Sequence, residues 1–243
     1  MKKLNFTRRD AIYIAIIGVL LIGLVAAIVL PRALEKSGGT LYPEYYNSKC
    51  DSYEVQNANL SQGQIVFIGD SITDLYHLDD YYADLDLAVY NRGIGGDTTG
   101  GVLNRLAVSV TDLAPSIVVL MIGTNDVNGI EPVDTIARRY ERILDRLRTA
   151  LPDTEIYCMS VIPQNEDVES YSTVVVKNSI ARIHELNGRI TALSADYGAT
   201  YLDLYPLLAD ENDRLKREYS DDGIHLNARG FEIWTALLKP YLQ

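Results

Sequence analysis

Four short segments, far apart in the chain, carry the residue types of nucleophilic acyl chemistry. The first, Phe67-Ile68-Gly69-Asp70-Ser71-Ile72-Thr73, places a serine at the end of an apolar run. At a strand-to-helix turn such a serine presents its hydroxyl and its backbone N–H to the same space, where a helix N-terminus favours developing negative charge. Capping the following helix is the competing role for Ser71, and this segment alone does not choose between them. The second, Asn91-Arg92-Gly93-Ile94-Gly95-Gly96-Asp97-Thr98-Thr99, is rich in glycine, which lets backbone N–H groups approach a ligand closely. It is not a dinucleotide loop, because Thr98 stands where G-x-G-x-x-G needs its last glycine. Asp97 is expected to cap the next helix.

The third segment is Gly123-Thr124-Asn125-Asp126. An asparagine here can donate a side-chain N–H to an oxyanion or close an Asx turn. The fourth is Ser220-Asp221-Asp222-Gly223-Ile224-His225-Leu226-Asn227. Of the three histidines, His77 follows the first turn and His184 falls within an amphipathic stretch, whereas His225 lies in a loop with Asp222 three residues before it. A general base needs an imidazole held in one tautomer by an acceptor on its other nitrogen, and Asp222 can supply that acceptor across a glycine-containing turn. Together the segments offer a nucleophile, a base, its orienting group and candidate oxyanion donors. G-x-S-x-G is absent, so the common α/β-hydrolase elbow does not apply.

The set resembles the SGNH (GDSL-type) hydrolase family. Gly69-Asp70-Ser71-Ile72 matches its first block, with isoleucine where leucine is usual; Asn91 to Asp97 matches the second, Gly123 to Asp126 the third, and Asp222 to His225 the last. The resemblance implies a flavodoxin-like three-layer α/β/α sandwich with a five-stranded parallel sheet. It implies Ser71 as nucleophile, His225 as base and Asp222 as its partner, with an oxyanion hole of the Ser71 and Gly96 N–H groups and the Asn125 side chain. Gly93 to Thr99 is similar to the acetylhydrolase branch that cleaves short acyl esters. No cofactor or metal is implied.

The intervening sequence can position such loops. Strand-like runs fall at Gln64–Ile68, Leu87–Tyr90, Ile117–Ile122, Glu155–Ile162 and Thr200–Leu204. Between them apolar residues recur three and four apart: Tyr46, Cys50 and Tyr53; Ile136, Tyr140, Ile143, Leu144 and Leu147 after Pro132; Ile180 to Leu193 within about Val174–Tyr197; and Phe231, Trp234, Leu237, Leu238 and Tyr241. Strands alternating with helices predict right-handed βαβ crossovers and a parallel sheet covered on both faces, with the chemistry in loops at the carboxyl ends of the strands.

Ala11 to Leu30 is different: twenty residues without a charge, preceded by Lys2, Lys3, Arg8 and Arg9. As a helix it would be roughly 30 Å long, enough to span a bilayer. The basic flank keeps the N-terminus in the cytoplasm and sends the rest across. A cleaved signal peptide is the alternative, with a weak site at Ala26-Ala27, but its apolar region is usually shorter. The expected organisation is therefore a basic stub (1–10), a transmembrane anchor (11–30), a tether (31–41) and one extracytoplasmic catalytic domain (42–243).

The chain has 243 residues and a formal net charge of −11. Beyond residue 35, 17 Lys and Arg face 31 Asp and Glu, a net −14. So acidic a domain is no nucleic-acid binder and is not drawn to polyanions. The expected substrate is a small-molecule or glycan-borne acyl ester, with O-acetyl esters first; a lysophospholipase or thioesterase is the alternative, and a non-catalytic binding module on the same fold a third reading. Cys50 and Cys158 are expected as buried free thiols. Tyr76, Tyr81 and Tyr82 either line a pocket or pack in the core.

Overall fold

Ile65, Val66, Phe67 and Ile68 are all fully buried, as a strand covered on both faces requires. They form β1 (Ile65–Gly69), an interior strand of a sheet whose other strands are β2 (Val89–Gly93), β3 (Ile117–Met121), β4 (Glu155–Met159) and β5 (Thr200–Leu202). All four pairings are parallel and the spatial order is β2-β1-β3-β4-β5. This is the five-stranded parallel α/β sheet the sequence predicted. The computed structural model describes residues 39–168 and 179–243. Among these residues no helix is long and apolar enough to cross a membrane; the stub, the Ala11–Leu30 segment and residues 31–38 of the tether lie outside them.

Alternate side chains of each central strand feed two cores. Val66, Ile68, Val118, Leu120, Ile156 and Cys158 face one layer. The helix after Pro132 (Val133–Ala150) buries Ile136, Tyr140, Ile143, Leu144 and Leu147 there, beside Ile183, Leu186 and Ile190 of the helix Ser179–Asp196. Residues 174–178 of that predicted helix lie outside the described residues. Ile65, Phe67, Val119, Met121, Tyr157 and Met159 face the other layer, closed by Phe231, Trp234 and Leu238 of the helix Ala228–Leu238. Tyr76 and Tyr82 belong to this second core, stacked and tilted against Phe231, Trp234 and Phe67. Both are buried in that core, and neither lines the cavity that holds Ser71.

β2 lies two to three residues later than the Leu87–Tyr90 run. As an edge strand it is placed by polar side chains instead of an apolar pair of faces. Asn91 donates through Nδ2 to the Thr73 and Tyr76 carbonyls at 2.6 and 2.9 Å and accepts from the Gly93 N–H at 2.8 Å. The buried Arg92 guanidinium lies over the Tyr53 ring, 4.4 Å from its centroid, and bonds the Gln56 and Asn57 side chains at 2.9 Å each.

Those partners sit on α1 (Pro43–Asn57), which attaches mainly through hydroxyl groups. Tyr53 donates to the Gly93 carbonyl at 2.7 Å, Tyr46 to the Gly101 carbonyl at 2.8 Å, and Tyr45 to Asp74 at 2.7 Å. Part of the tyrosine excess is thus explained: phenol hydroxyls tie this helix to the Gly93 and Gly101 carbonyls and the Asp74 carboxylate, bonds that phenylalanine could not make. Cys158 is buried and Cys50 half-buried, and both are free thiols.

The loops at the carboxyl ends of β1 and β2 are tied by one buried cation. Arg105, 2% exposed, pairs through Nε with Asp97 at 2.7 Å and donates to the Arg92 carbonyl at 2.7 Å, the Ser109 hydroxyl at 2.9 Å and the Gly69 carbonyl at 2.9 Å. Asp97 therefore does not cap the next helix as predicted. That cap is Thr98, which accepts from the Gly101 N–H, leaving Asp97 to neutralise the buried guanidinium. Two further buried acids flank the pair. Asp126 accepts from the Thr99 N–H and hydroxyl at 2.9 and 2.6 Å, and burial pushes its pKa up to about 6. Asp70 accepts from the Ile72 N–H at 3.0 Å, and burial pushes it up to about 7.

Arg105→Met keeps much of the volume but leaves Asp97 without its cation, so it should cost about 3–5 kcal/mol of stability, read from urea unfolding midpoints. Asp70 gives a pH signature. A carboxyl whose pKa is raised on folding holds a proton that the unfolded chain has released, so stability falls as pH rises from about 4 to about 7 and levels off above. Asp70→Asn should flatten this slope in a pH series of unfolding curves. An unchanged slope would contradict the assignment.

Candidate active site

In a parallel sheet of order 2-1-3-4-5 the connections depart in opposite directions at β1 and β3, which opens a crevice beyond their carboxyl ends. The chain after β1 turns directly into α2 (Ser71–Asp74), and the chain after β3 into a short helix, Thr124–Asn128. Ser71 and Asn125 therefore both stand at the crevice. Of the two roles open to Ser71, capping is excluded. The cap of α2 is Asp70, whose carboxylate takes the Ile72 N–H. Ser71 is the first helical residue, and its hydroxyl is turned outward to His225.

The Ser71 hydroxyl oxygen lies 2.8 Å from His225 Nε2, and His225 Nδ1 lies 2.6 Å from Asp222 Oδ2. An ionised carboxylate can only accept, so the Nδ1 position carries the proton, and in the neutral ring Nε2 is left to accept from the serine hydroxyl. The turn that brings Asp222 beneath the ring uses Gly223 at φ +85°. Its other carboxylate oxygen, Oδ1, accepts from the Ile224 and His225 N–H groups at 2.9 and 2.8 Å. Burial works to raise the Asp222 pKa, but the bonds from the His225 ring and these two N–H groups outweigh it and hold the carboxyl below its ordinary value. Asp221 is engaged elsewhere, at 3.4 Å from the Asn227 side-chain amide that belongs to the cap of the last helix.

The glycine loop contributes Gly96, at φ +76°, where a side chain would be strained and a Cβ would fall 2.6 Å from the Tyr42 ring. Its carbonyl accepts from the Leu41 N–H at 2.9 Å. The preceding Gly95 N–H is held by Asp74 Oδ2 at 3.0 Å. Among the described residues neither the Ser71 nor the Gly96 N–H donates to another protein atom. The Asn125 amide gives one N–H to the Asp97 carbonyl at 2.8 Å, which fixes its orientation and leaves its second N–H uncommitted to that bond. Asn125 therefore spans between loops and does not close a local Asx turn. Ser71, Gly96, Asn125, Asp222 and His225 all line one open cavity of about 530 Å³, a size that suits a small ligand.

All five predicted site residues are brought together. Others on the cavity wall escaped the sequence reading. Asp74 accepts from Tyr45 (2.7 Å) and Lys49 (2.8 Å) as well as from Gly95. Leu41 and Tyr42, at the boundary between the expected tether and the catalytic domain, also line the cavity. The only signal in the sequence was the tyrosine spacing of α1, which marked a packed helix but not the segment leading into it.

Comparison with known proteins agrees with this architecture. The model of the GDSL-like Lipase/Acylhydrolase family matches residues 67–233. Platelet-activating factor acetylhydrolase IB subunit alpha1 of Bos taurus is 26% identical over 180 residues, which is 73% of this chain and 74% of the bovine one. A Streptococcus pneumonia structure, described as that of a candidate platelet activating factor, superposes with a TM-score of 0.77 at 29% identity, covering 90% of this chain and 99% of its own. A GDSL-like lipase from Bacteroides thetaiotaomicron gives a TM-score of 0.70 at 25% identity, covering 79% and 96%. With the family match running from the end of β1 into the last helix, the chain belongs to the GDSL-like lipase/acylhydrolase family and is a carboxylic ester hydrolase.

Proposed function

We propose that this protein is a membrane-anchored, extracytoplasmic serine esterase that hydrolyses short-chain acyl esters, O-acetyl esters first, through an acyl-serine intermediate. The observation that carries the reading is the continuous chain Asp222–His225–Ser71, at 2.6 and 2.8 Å, beside two unengaged backbone N–H groups. His225 takes the hydroxyl proton as Ser71 Oγ attacks the ester carbonyl, and Asp222 stabilises the imidazolium that results. The tetrahedral oxyanion is held by the Ser71 and Gly96 N–H groups and the Asn125 amide. Collapse expels the alcohol, which takes its proton from His225. Water then attacks the acyl-serine with His225 again as base, releasing the acid and regenerating Ser71.

Short acyl groups are favoured by the likeness of the chain to an acetylhydrolase subunit. The anchor rests on the twenty uncharged residues Ala11–Leu30 and on the basic flank before them. The net −14 beyond residue 35 makes a neutral ester a better substrate than a polyanionic one.

With p-nitrophenyl esters from acetyl to decanoyl, turnover should peak at the short end and fall by about 10⁴ or more in Ser71→Ala. Asn125→Ala should lower kcat by roughly 10²–10³. A long-chain optimum would transfer the assignment to a lipase or thioesterase, and full turnover in Ser71→Ala would reject the acyl-serine route. For the anchor, the full chain expressed in cells should stay in the membrane fraction through alkaline carbonate extraction, with the catalytic domain cleaved by protease added outside. A soluble product beginning just after Ala27 would establish a cleaved signal peptide instead.

A further inference from the structure

Eight large apolar side chains are exposed among the described residues, and four of them, Leu41, Tyr42, Tyr45 and Leu75, line the single cavity that holds Ser71. Scattered exposed apolar residues need no explanation, but a cluster converging on a concave site marks a surface that is covered when a ligand binds. Three of the four precede residue 67, where the family match begins. They belong to the segment that precedes that match.

That segment is fixed in place. The Thr98 hydroxyl donates to the Gly39 carbonyl, the Leu41 N–H donates to the Gly96 carbonyl at 2.9 Å, and the Tyr45 hydroxyl donates to Asp74. Its backbone is therefore committed to the loop that carries the Gly96 N–H, while the Leu41 side chain stays 52% exposed at the cavity. Leu75, 47% exposed, follows α2 and forms part of the same lining. Anchored backbone with uncovered apolar side chains is the arrangement of a preformed subsite, since the ordering cost is met before the ligand arrives.

We propose that Leu41 and Tyr42, with Leu75, form a substrate-contacting wall that packs against the apolar portion of the ester and sets selectivity for it. The inference rests on the acyl-transfer reading of Ser71 and adds to it a specificity role for Leu41 and Tyr42, which precede the family match, and for Leu75 within it. Each methylene shielded from water at such a wall is worth about fourfold in affinity.

Two ester series on the full chain test it: acetates of methanol, butanol and hexanol, and p-nitrophenyl esters of acetic, butyric and hexanoic acids, each with Ser71→Ala as the blank. In the wild type, kcat/KM is expected to rise with chain length in the acetate series, whose variable alcohol group meets the wall, while the p-nitrophenyl series peaks at its short end. In that series Leu41→Ser and Leu75→Ser should lower the ratio of kcat/KM for the longest ester to that for the shortest by about tenfold, chiefly through KM. Tyr42→Phe should retain the ratio. If both variants lose activity equally on all esters, the wall only supports Gly96 and the proposal fails; no rise with chain length in the acetate series defeats it as well. Absence of any Ser71-dependent turnover is a separate outcome, which removes the acyl-transfer reading and this inference with it.

Discussion

The buried Arg105 guanidinium is the constraint on which the site depends. Its N–H groups bind the Asp97 carboxylate, the Arg92 and Gly69 carbonyls and the Ser109 hydroxyl, so the ends of β1 and β2 and the glycine loop share one hub. Gly69 is two residues before Ser71, and Asp97 directly follows Gly96. The Asp97 carbonyl in turn receives the Asn125 amide from the loop after β3. The three loops that bear Ser71, Gly96 and Asn125 are thus locked to one another without any of the three groups facing the cavity being consumed. Burying a charge pair is a poor way to gain stability, since desolvation offsets most of the attraction. Its worth here is positional: a planar donor fork fixes several acceptors at once, which a point charge such as lysine does not do.

α1 extends the same logic outward. Its contacts to the domain are mostly phenol hydroxyls and polar side chains, with Tyr53 as its one buried residue. Tyr53 alone bonds the Gly93 carbonyl and supports the Arg92 guanidinium with its ring. Gly93 has no room for a side chain, because a Cβ there would fall 2.2 Å from the Asp74 backbone nitrogen. The edge strand, α2 and α1 therefore meet at a point where only glycine fits, and the position of Asp74 and of Gly95 follows from that meeting.

The sheet and the proximity of Asp222 to His225 were legible in the sequence because each rests on a local pattern. Val, Ile and Phe runs identify buried strands, and the Asp222-Gly-Ile-His225 spacing permits the carboxylate to reach the imidazole across one turn. What escaped was non-local. Arg105 sits among ordinary helical residues, and nothing in its neighbours announces that its head group will bond the Gly69 carbonyl 36 residues earlier. Asp97 precedes a helix as a cap would, and only its pairing with Arg105 shows that Thr98 takes that role. β2 was displaced because its register is set by the Asn91 and Arg92 side chains, polar residues that read as loop. The place of Leu41 at the cavity was missed for a similar reason: a residue near a glycine pair looks like a tether until its backbone is seen bonded to the Gly96 carbonyl.

The carboxyl groups around Ser71 are driven in opposite directions by their surroundings. Asp70 is fully buried, and one of its oxygens has no hydrogen-bond partner among the described residues, so its charged form is disfavoured. Asp222 is half-buried and accepts from two backbone N–H groups and the His225 ring, so its charged form is retained. Below about pH 7 the Asp70 carboxyl, next to Ser71, is therefore largely neutral while Asp222, behind His225, is ionised. That division matters electrostatically. In the proposed acyl transfer, a carboxylate charge next to Ser71 would oppose the negative charge that gathers on the carbonyl oxygen, whereas a charge at Asp222 would favour the imidazolium formed as the serine proton leaves. Two aspartates flanking the Ser71–His225 pair thus act differently through burial and hydrogen bonding alone, and Asp70 serves the site by capping α2 with an oxygen that need not be charged to accept.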